Sequence, residues 1–176
     1  CTNAMTGLLD AWQDNTMLFV VSGQVKASNT SKLASVPLRQ FGVQEANIIP
    51  IVDSIAKYAV MLDDPLNIRF ELEKAAFIAQ DGRPGPVWID VPQDIQGALI
   101  DPDALTGFVK PDEKLNSEIK TALTSIQASL SLAKRPIVVA GNGIRLSQMG
   151  TAFAEFVESN QIPVVFSYLS LDLLPS

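Results

Sequence analysis

A chain of 176 residues, 47% of them hydrophobic, is long enough for one large or two small domains with true cores, which excludes disordered and fibrous classes. Its formal net charge of −6 gives no electrostatic reason to hold nucleic acid or an anionic membrane surface. With Cys1 as the single cysteine and no histidine, neither an internal disulfide, a His/Cys metal site nor a Ser-His-Asp triad can be assembled within it, and no metal ligand is assigned.

No apolar run reaches bilayer-spanning length, and the first residues have neither the charged start nor the apolar core of a signal peptide. The expectation is a soluble, cytoplasmic protein. The chain opens on Cys1 rather than methionine, already inside what reads as a helical turn, and is expected to be a piece of a longer protein.

Ala4, Met5, Leu8, Leu9 and Trp12 recur at helical spacing and predict a first helix, capped by Thr2 or Asn3 and stopped at Asp14-Asn15. Thr16 to Val21 is a continuous apolar run, the pattern of a strand buried on both faces of a parallel sheet, and Ser22-Gly23-Gln24 ends it. From Lys26 to Arg39 the sequence is polar and reads as a long surface loop, either functional or simply mobile. Gln44 to Val52 predicts a short helix interrupted or ended near Pro50, and Lys57 to Leu62 a short strand.

Asp64-Pro65 is a strong helix start, because the carboxylate accepts orphan amides and proline suits the first helical position. Ile68, Leu72, Ala75, Ala76 and Ala79 then line one apolar face, with Arg69 and Glu73 one turn apart on the surface. The helix stops at Gly82. Val87 to Val91, boxed in by Pro86 and Pro92, reads as a buried strand. Aspartate, glycine and proline enrichment over 97–111 suits an interdomain linker, which puts a domain boundary near residue 100, between 1–100 and 101–176.

Beyond it, Leu115, Ile119, Ala122, Leu123, Ile126 and Leu130 mark a long helix. Pro136 to Ala140 predicts a strand, Gly141-Asn142-Gly143 a tight turn, Ser147 a cap for a helix using Ala152, Phe153, Phe156 and Val157, and Ile162 to Phe166 another strand. The αβαβ order is that of doubly wound parallel layers, so the fold class is α/β with two incomplete domains.

Few residues advertise chemistry. Gly141-Asn142-Gly143 lacks the third glycine of a dinucleotide fingerprint, since Leu146 stands there, and two glycines making a tight turn account for it as well. On spacing alone Gln44-Glu45 reads first as a solvated pair; the alternative is that it opens a helix facing a cleft, where a glutamine can donate and accept without titrating.

Four motifs in order change the weights: Thr-Asn-Ala-Met-Thr-Gly-Leu-Leu-Asp-Ala-Trp-Gln-Asp at 2–14, Val-Ser-Gly-Gln-Val at 21–25, Val-Gln-Glu at 43–45, and Gly-Arg-Pro-Gly-Pro-Val-Trp-Ile-Asp-Val-Pro at 82–92. They closely resemble the pyrimidine-binding domain of thiamine diphosphate enzymes of the acetolactate synthase type. Arg-Pro-Ile-Val-Val-Ala-Gly-Asn-Gly at 135–143 and Ile-Pro-Val-Val at 162–165 resemble the opening of that family's central, Rossmann-type (DHS-like) domain. Two departures stand out: Val43 where the family usually has phenylalanine, and a loop from Val25 to Gln44 longer by on the order of eight residues, an insertion a surface loop tolerates.

The resemblance implies a middle piece of an enzyme that decarboxylates a pyruvate-like 2-keto acid and transfers the two-carbon unit, inactive by itself. It implies thiamine diphosphate and magnesium, with FAD possible. The Gly-Pro-Gly turn and the glutamate that contacts the aminopyrimidine fall before Cys1, and the diphosphate and magnesium ligands fall in a third domain. By motif, Asn3 is expected near the pyrimidine and Gln44 near the thiazolium as the catalytic residue. Gly23 and Gln24 are expected to shape the cofactor-binding turn. A homodimer or homotetramer is implied, with no nucleic-acid or membrane partner. Two alternatives stay open: another thiamine diphosphate decarboxylase, oxidase or carboligase, and a non-catalytic nucleotide-binding regulatory module.

Overall fold

The computed structural model describes residues 1–112 and 117–174. The chain divides into two compact units, Cys1–Pro111 and Asp112–Ser176.

In the first unit a three-residue 3-10 turn (Thr2–Ala4) leads into α1 (Met5–Gln13), which ends at Asp14 with Asn15 in a left-handed conformation. Neither Thr2 nor Asn3 caps it. Both lie within the 3-10 turn, whose bonds run along the backbone, so no side-chain oxygen is needed at the helix start. β1 (Phe19–Gln24) starts three residues later than the apolar run predicts and continues through Ser22-Gly23-Gln24. Two short 3-10 turns (Ala27–Asn29, Ser31–Leu33) break the following loop, which ends in α2 (Ile49–Val52) and a further 3-10 turn (Asp53–Ile55). The helix expected from Gln44 therefore starts only at Ile49, since Gln44 has positive φ, and Pro50 sits inside its first turn rather than at its end.

β2 (Tyr58–Met61) follows, then Asp64, whose carboxylate accepts from the Leu66 amide at 2.9 Å over a 3-10 turn (Pro65–Asn67) that runs into α3 (Ile68–Gln80). Gly82, with φ +60°, turns the chain out of that helix as a residue without Cβ can. β3 (Val87–Pro92) is followed at once by the single turn α4 (Gln93–Gln96).

The three strands are parallel in the order β1-β3-β2, with Ser22 opposite Asp90 and Val60 opposite Ile89. Side chains alternate across the middle strand. Val87 and Ile89 pack with Leu62, Ala75 and Ala79 beneath α3, while Trp88, on the other face, packs with Leu8, Ile48 and Val52 from α1 and α2. Helices thus cover both faces of a parallel sheet, the α/β arrangement expected. β1, however, is an edge strand: Phe19 and Val21 are 38% and 60% exposed, so the buried-on-both-faces reading belongs to β3 and not to 16–21.

The stretch 101–111 lies with the first unit. Phe108 stacks edge-on to Phe70 with ring centroids 5.7 Å apart and lies 5.5 Å from Phe77, and its amide donates to Glu73, which also pairs with Arg69 at 2.9 Å.

The second unit holds α5 (Ser117–Leu132), β4 (Val138–Ala140), α6 (Gly143–Leu146), α7 (Gly150–Asn160) and β5 (Val164–Phe166), with β4 and β5 parallel. Leu115, expected in the long helix, lies outside the described residues. Ser147 does not cap α7. It terminates the one-turn helix α6, and its hydroxyl donates back to the Ile144 carbonyl, because α7 starts only at Gly150 after the left-handed Gln148. No helix among the described residues is long and apolar enough to cross a membrane.

Candidate functional site

Parallel sheets offer ligands the crevice beyond their carboxyl ends. Trp12, at the far end of α1, shares a cleft with Lys57, Arg83 and Pro84, which precede β2 and β3 and so mark the amino edge of the sheet. The start of α1, with Thr2 and Asn3, is therefore directed toward the carboxyl edge, where β1 ends in Gly23-Gln24. Asn3 is exposed, and no hydrogen bond among the described residues joins it to Gly23, Gln24 or Gln44.

Gln24 is tied inward instead. Its Nε2 donates to the Ala46 carbonyl at 2.8 Å and to Asp90 Oδ2 at 2.9 Å, and its Oε1 accepts from the Val25 amide at 3.0 Å. Asp90, 1% exposed, also accepts from the Ser22 hydroxyl at 2.5 Å, and Ser22 in turn accepts from the Trp88 indole at 2.7 Å. Since Trp88 and Asp90 share one face of β3 and Ser22 and Gln24 the facing positions of β1, the period of two builds this chain of bonds without a bulge. A buried carboxylate is tolerable there because both its oxygens are bonded. Gly23 faces Gln96, whose Nε2 would stand 3.3 Å from a Cβ added at Gly23.

The loop leaving β1 is fixed to α4, the Ala27 amide donating to Asp94 Oδ1 at 3.0 Å, and is then folded onto itself by Glu45. One Glu45 oxygen accepts from the Ser31 amide and hydroxyl at 2.5 and 2.6 Å; the other accepts from the Phe41 and Gly42 amides at 2.7 and 3.1 Å. Burial by itself raises the Glu45 carboxyl, but the Ser31 hydroxyl and the Phe41, Ser31 and Gly42 amides together hold it down at about 2. Gly42 is buried where the loop crosses itself: a Cβ there would lie 2.7 Å from a Val25 methyl and 2.9 Å from the Asn29 carbonyl.

Between these two anchorages stands Gln44, exposed, with φ +59°. Its amide is engaged by no hydrogen bond among the described residues, so it is open to a ligand. The structure thus brings Gly23, Gln24 and the turn carrying Gln44 together at one sheet edge, while Asn3, in the 3-10 turn before α1, makes no hydrogen bond to them among the described residues. Two residues escaped the sequence reading: Glu45 as the clasp of the loop, and Asp90 beneath Gln24. Asp90 did leave a signal, a lone carboxylate in the apolar run Val-Trp-Ile-Asp-Val that pairs with the lone hydroxyl of Val-Val-Ser. Among the described residues no group of three metal-ligating side chains converges.

Fold and edge geometry together define an α/β chain that presents neutral amides at the carboxyl ends of parallel strands. No family model matches the chain. Among individual proteins it is 35% identical, over 99% of its length, to the acetolactate synthase large subunit of Lactococcus lactis subsp. lactis (strain IL1403), of which it spans 29%. It is 34% identical to acetolactate synthase 2, chloroplastic, of Nicotiana tabacum, again over 99% of its length and spanning 25% of that protein. With the acetolactate synthase isozyme 3 large subunit of Escherichia coli (strain K12) the identity is 31%, over 99% of the chain and 30% of the relative. The chain is similar to acetolactate synthases along nearly its whole length, as its motifs implied, and spans about a quarter to three tenths of the relatives it matches.

Proposed function

We propose that this chain forms one wall of a thiamine diphosphate site in an enzyme of the acetolactate synthase type, acting on a pyruvate-like 2-keto acid and transferring its two-carbon unit. The observation that carries this reading is identity of 31–35% to acetolactate synthases over 99% of the chain. The edge geometry supports it, because Gln24, at the carboxyl end of β1, is bonded to the turn that carries Gln44.

The residues present suit such a cofactor. Gln44 offers an unengaged, non-titrating amide, and Asn3 a second one from the turn before α1, which fits a heteroaromatic ring and a keto-acid carbonyl. When bound, thiamine diphosphate supplies the nucleophilic carbon and the electron sink for decarboxylation. The chain's part would be to orient: Gln44 would donate to the keto acid, Asn3 would hold the pyrimidine side of the cofactor, and Gly23 and Gln24 would shape the wall between them. Gln24 does this from behind, since both its donor hydrogens are used within the protein. The reading assigns the diphosphate and magnesium to residues outside this chain. The first unit is then the C-terminal part of a pyrimidine-binding domain and the second the start of a central domain, in a cytoplasmic homodimer or homotetramer.

Calorimetric titration of thiamine diphosphate with magnesium tests the reading. The full-length protein is expected to bind, the chain alone not to bind, and pyruvate turnover to fall by at least about tenfold on Gln44→Ala, as when one oriented donor is removed. Absence of binding by the full-length protein would overturn the cofactor assignment.

A further inference from the structure

We infer that Asp90 is the positioning residue for the turn that carries Gln44, acting through Gln24: its buried carboxylate dictates which end of the Gln24 amide meets the Ala46 carbonyl. A carboxamide fits its pocket in two orientations that exchange oxygen and nitrogen, and only its partners decide between them. Here Asp90 Oδ2 and the Ala46 carbonyl are both acceptors, and the Val25 amide is a donor. The observed orientation satisfies all three. The flipped one sets Oε1 against two oxygens and Nε2 against an N–H.

The second oxygen of Asp90 is held by Ser22, itself fixed by Trp88, so the carboxylate cannot swing away from Gln24. Ala46 lies two residues beyond Gln44. Among the described residues, the Gln24 bond is the one side-chain hydrogen bond from the sheet to residues 43–48. Glu45 does not replace it, because all its partners belong to the loop itself. The loop is shaped by Glu45, and residues 43–48 are held to the sheet by the Gln24 bond and by Ile48 packed with Trp88. Asp90 acts on the first of these, the hold nearer to Gln44.

This assignment rests on the reading of Gln44 as the residue facing substrate, and the test separates the two. In the full-length protein, amide hydrogen exchange is followed at residues 43–48 alongside keto-acid kinetics. Asp90→Ala and Gln24→Met, which keeps the shape and removes the donor, are each expected to loosen the turn and speed exchange within 43–48, at Glu45, whose amide donates to the Gly42 carbonyl, by about three- to tenfold. Both are expected to lower kcat with KM little changed. In the double variant Asp90→Ala adds nothing further at 43–48, the non-additivity of residues acting in series. Ile89→Val, a truncation on the same strand facing α3, leaves exchange at 43–48 and turnover as they were.

Unchanged exchange at 43–48 in Gln24→Met, or additive effects in the double variant, overturns the proposal. If Asp90→Ala does not fold, Gln24→Met alone decides it. Should exchange rise as expected while Gln44→Ala turns over like the parent, the positioning role stands and the catalytic reading of Gln44 falls.

Discussion

Gln44 holds a left-handed backbone, φ +59°, without a glycine's freedom, a conformation that costs a residue with a Cβ about 1–2 kcal/mol. Gln44→Gly is therefore expected to raise stability by ~1 kcal/mol in a denaturant melt while turnover falls, a divergence that marks a residue kept for its side chain. Glu45 makes a prediction in pH. Its folded-state value, about 2, lies below the ordinary 4.5, so its stabilisation of the loop is complete above about pH 4.5 and is lost as the pH falls toward 2. Proteolysis at Lys32 and Arg39, assayed after brief acid exposure with an acid-tolerant protease, should accelerate across that window. Glu45→Gln should show the faster cleavage already at neutral pH.

Among the elements, α3 and β3 are held most firmly. Asp64→Ala removes the oxygen that accepts the Leu66 amide and is expected to cost about 1 kcal/mol, read as a shift in melting midpoint. Trp88→Ala, at a fully buried position facing α1 and α2, should cost about 3–5 kcal/mol and remove the donor that the Ser22 oxygen accepts from, leaving Ser22 bonded to Asp90 alone. Tyr58 ties β2 to α3 by donating to Glu71 and accepting from Lys74 at 3.0 Å. Burial first, then the bond and charge of Glu71, push its phenol upward, so this tie is complete below about pH 10 and weakens as the pH rises beyond.

These elements were also the legible ones. Helical periodicity, Asp64-Pro65, Gly82 and the prolines around Val87–Val91 are local signals, and the structure follows them within a few residues. What could not be read locally was position in the sheet. Thr16–Val21 and Val87–Val91 are equally apolar, and only the pairing of distant strands makes one an edge and the other the centre. The candidate site came only from motif resemblance, for Gln44 and Asn3 carry no periodicity of their own. Asp90 went unread because its partners lie 66–68 residues away, and Glu45 because its role joins Ser31, 14 residues away, to the nearby Phe41 and Gly42 amides.

At the scale of the whole molecule, the first unit rests on one strand. β3 touches both other strands and both helical layers, whereas β1 and β2 share no hydrogen bonds with each other. It is also the last of the three to be synthesised. Ser22 and Asp90 lie 68 residues apart, so at ribosomal speeds β1 waits roughly 3–14 s for its only strand partner in this unit. During that interval β1 and β2 lack the strand that pairs with both, and Val87 to Pro92 then join them in one sheet. Stalled nascent chains that expose residues only to 86 should leave β1 and α3 protease-sensitive, and extending them past 92 should protect both in the same step.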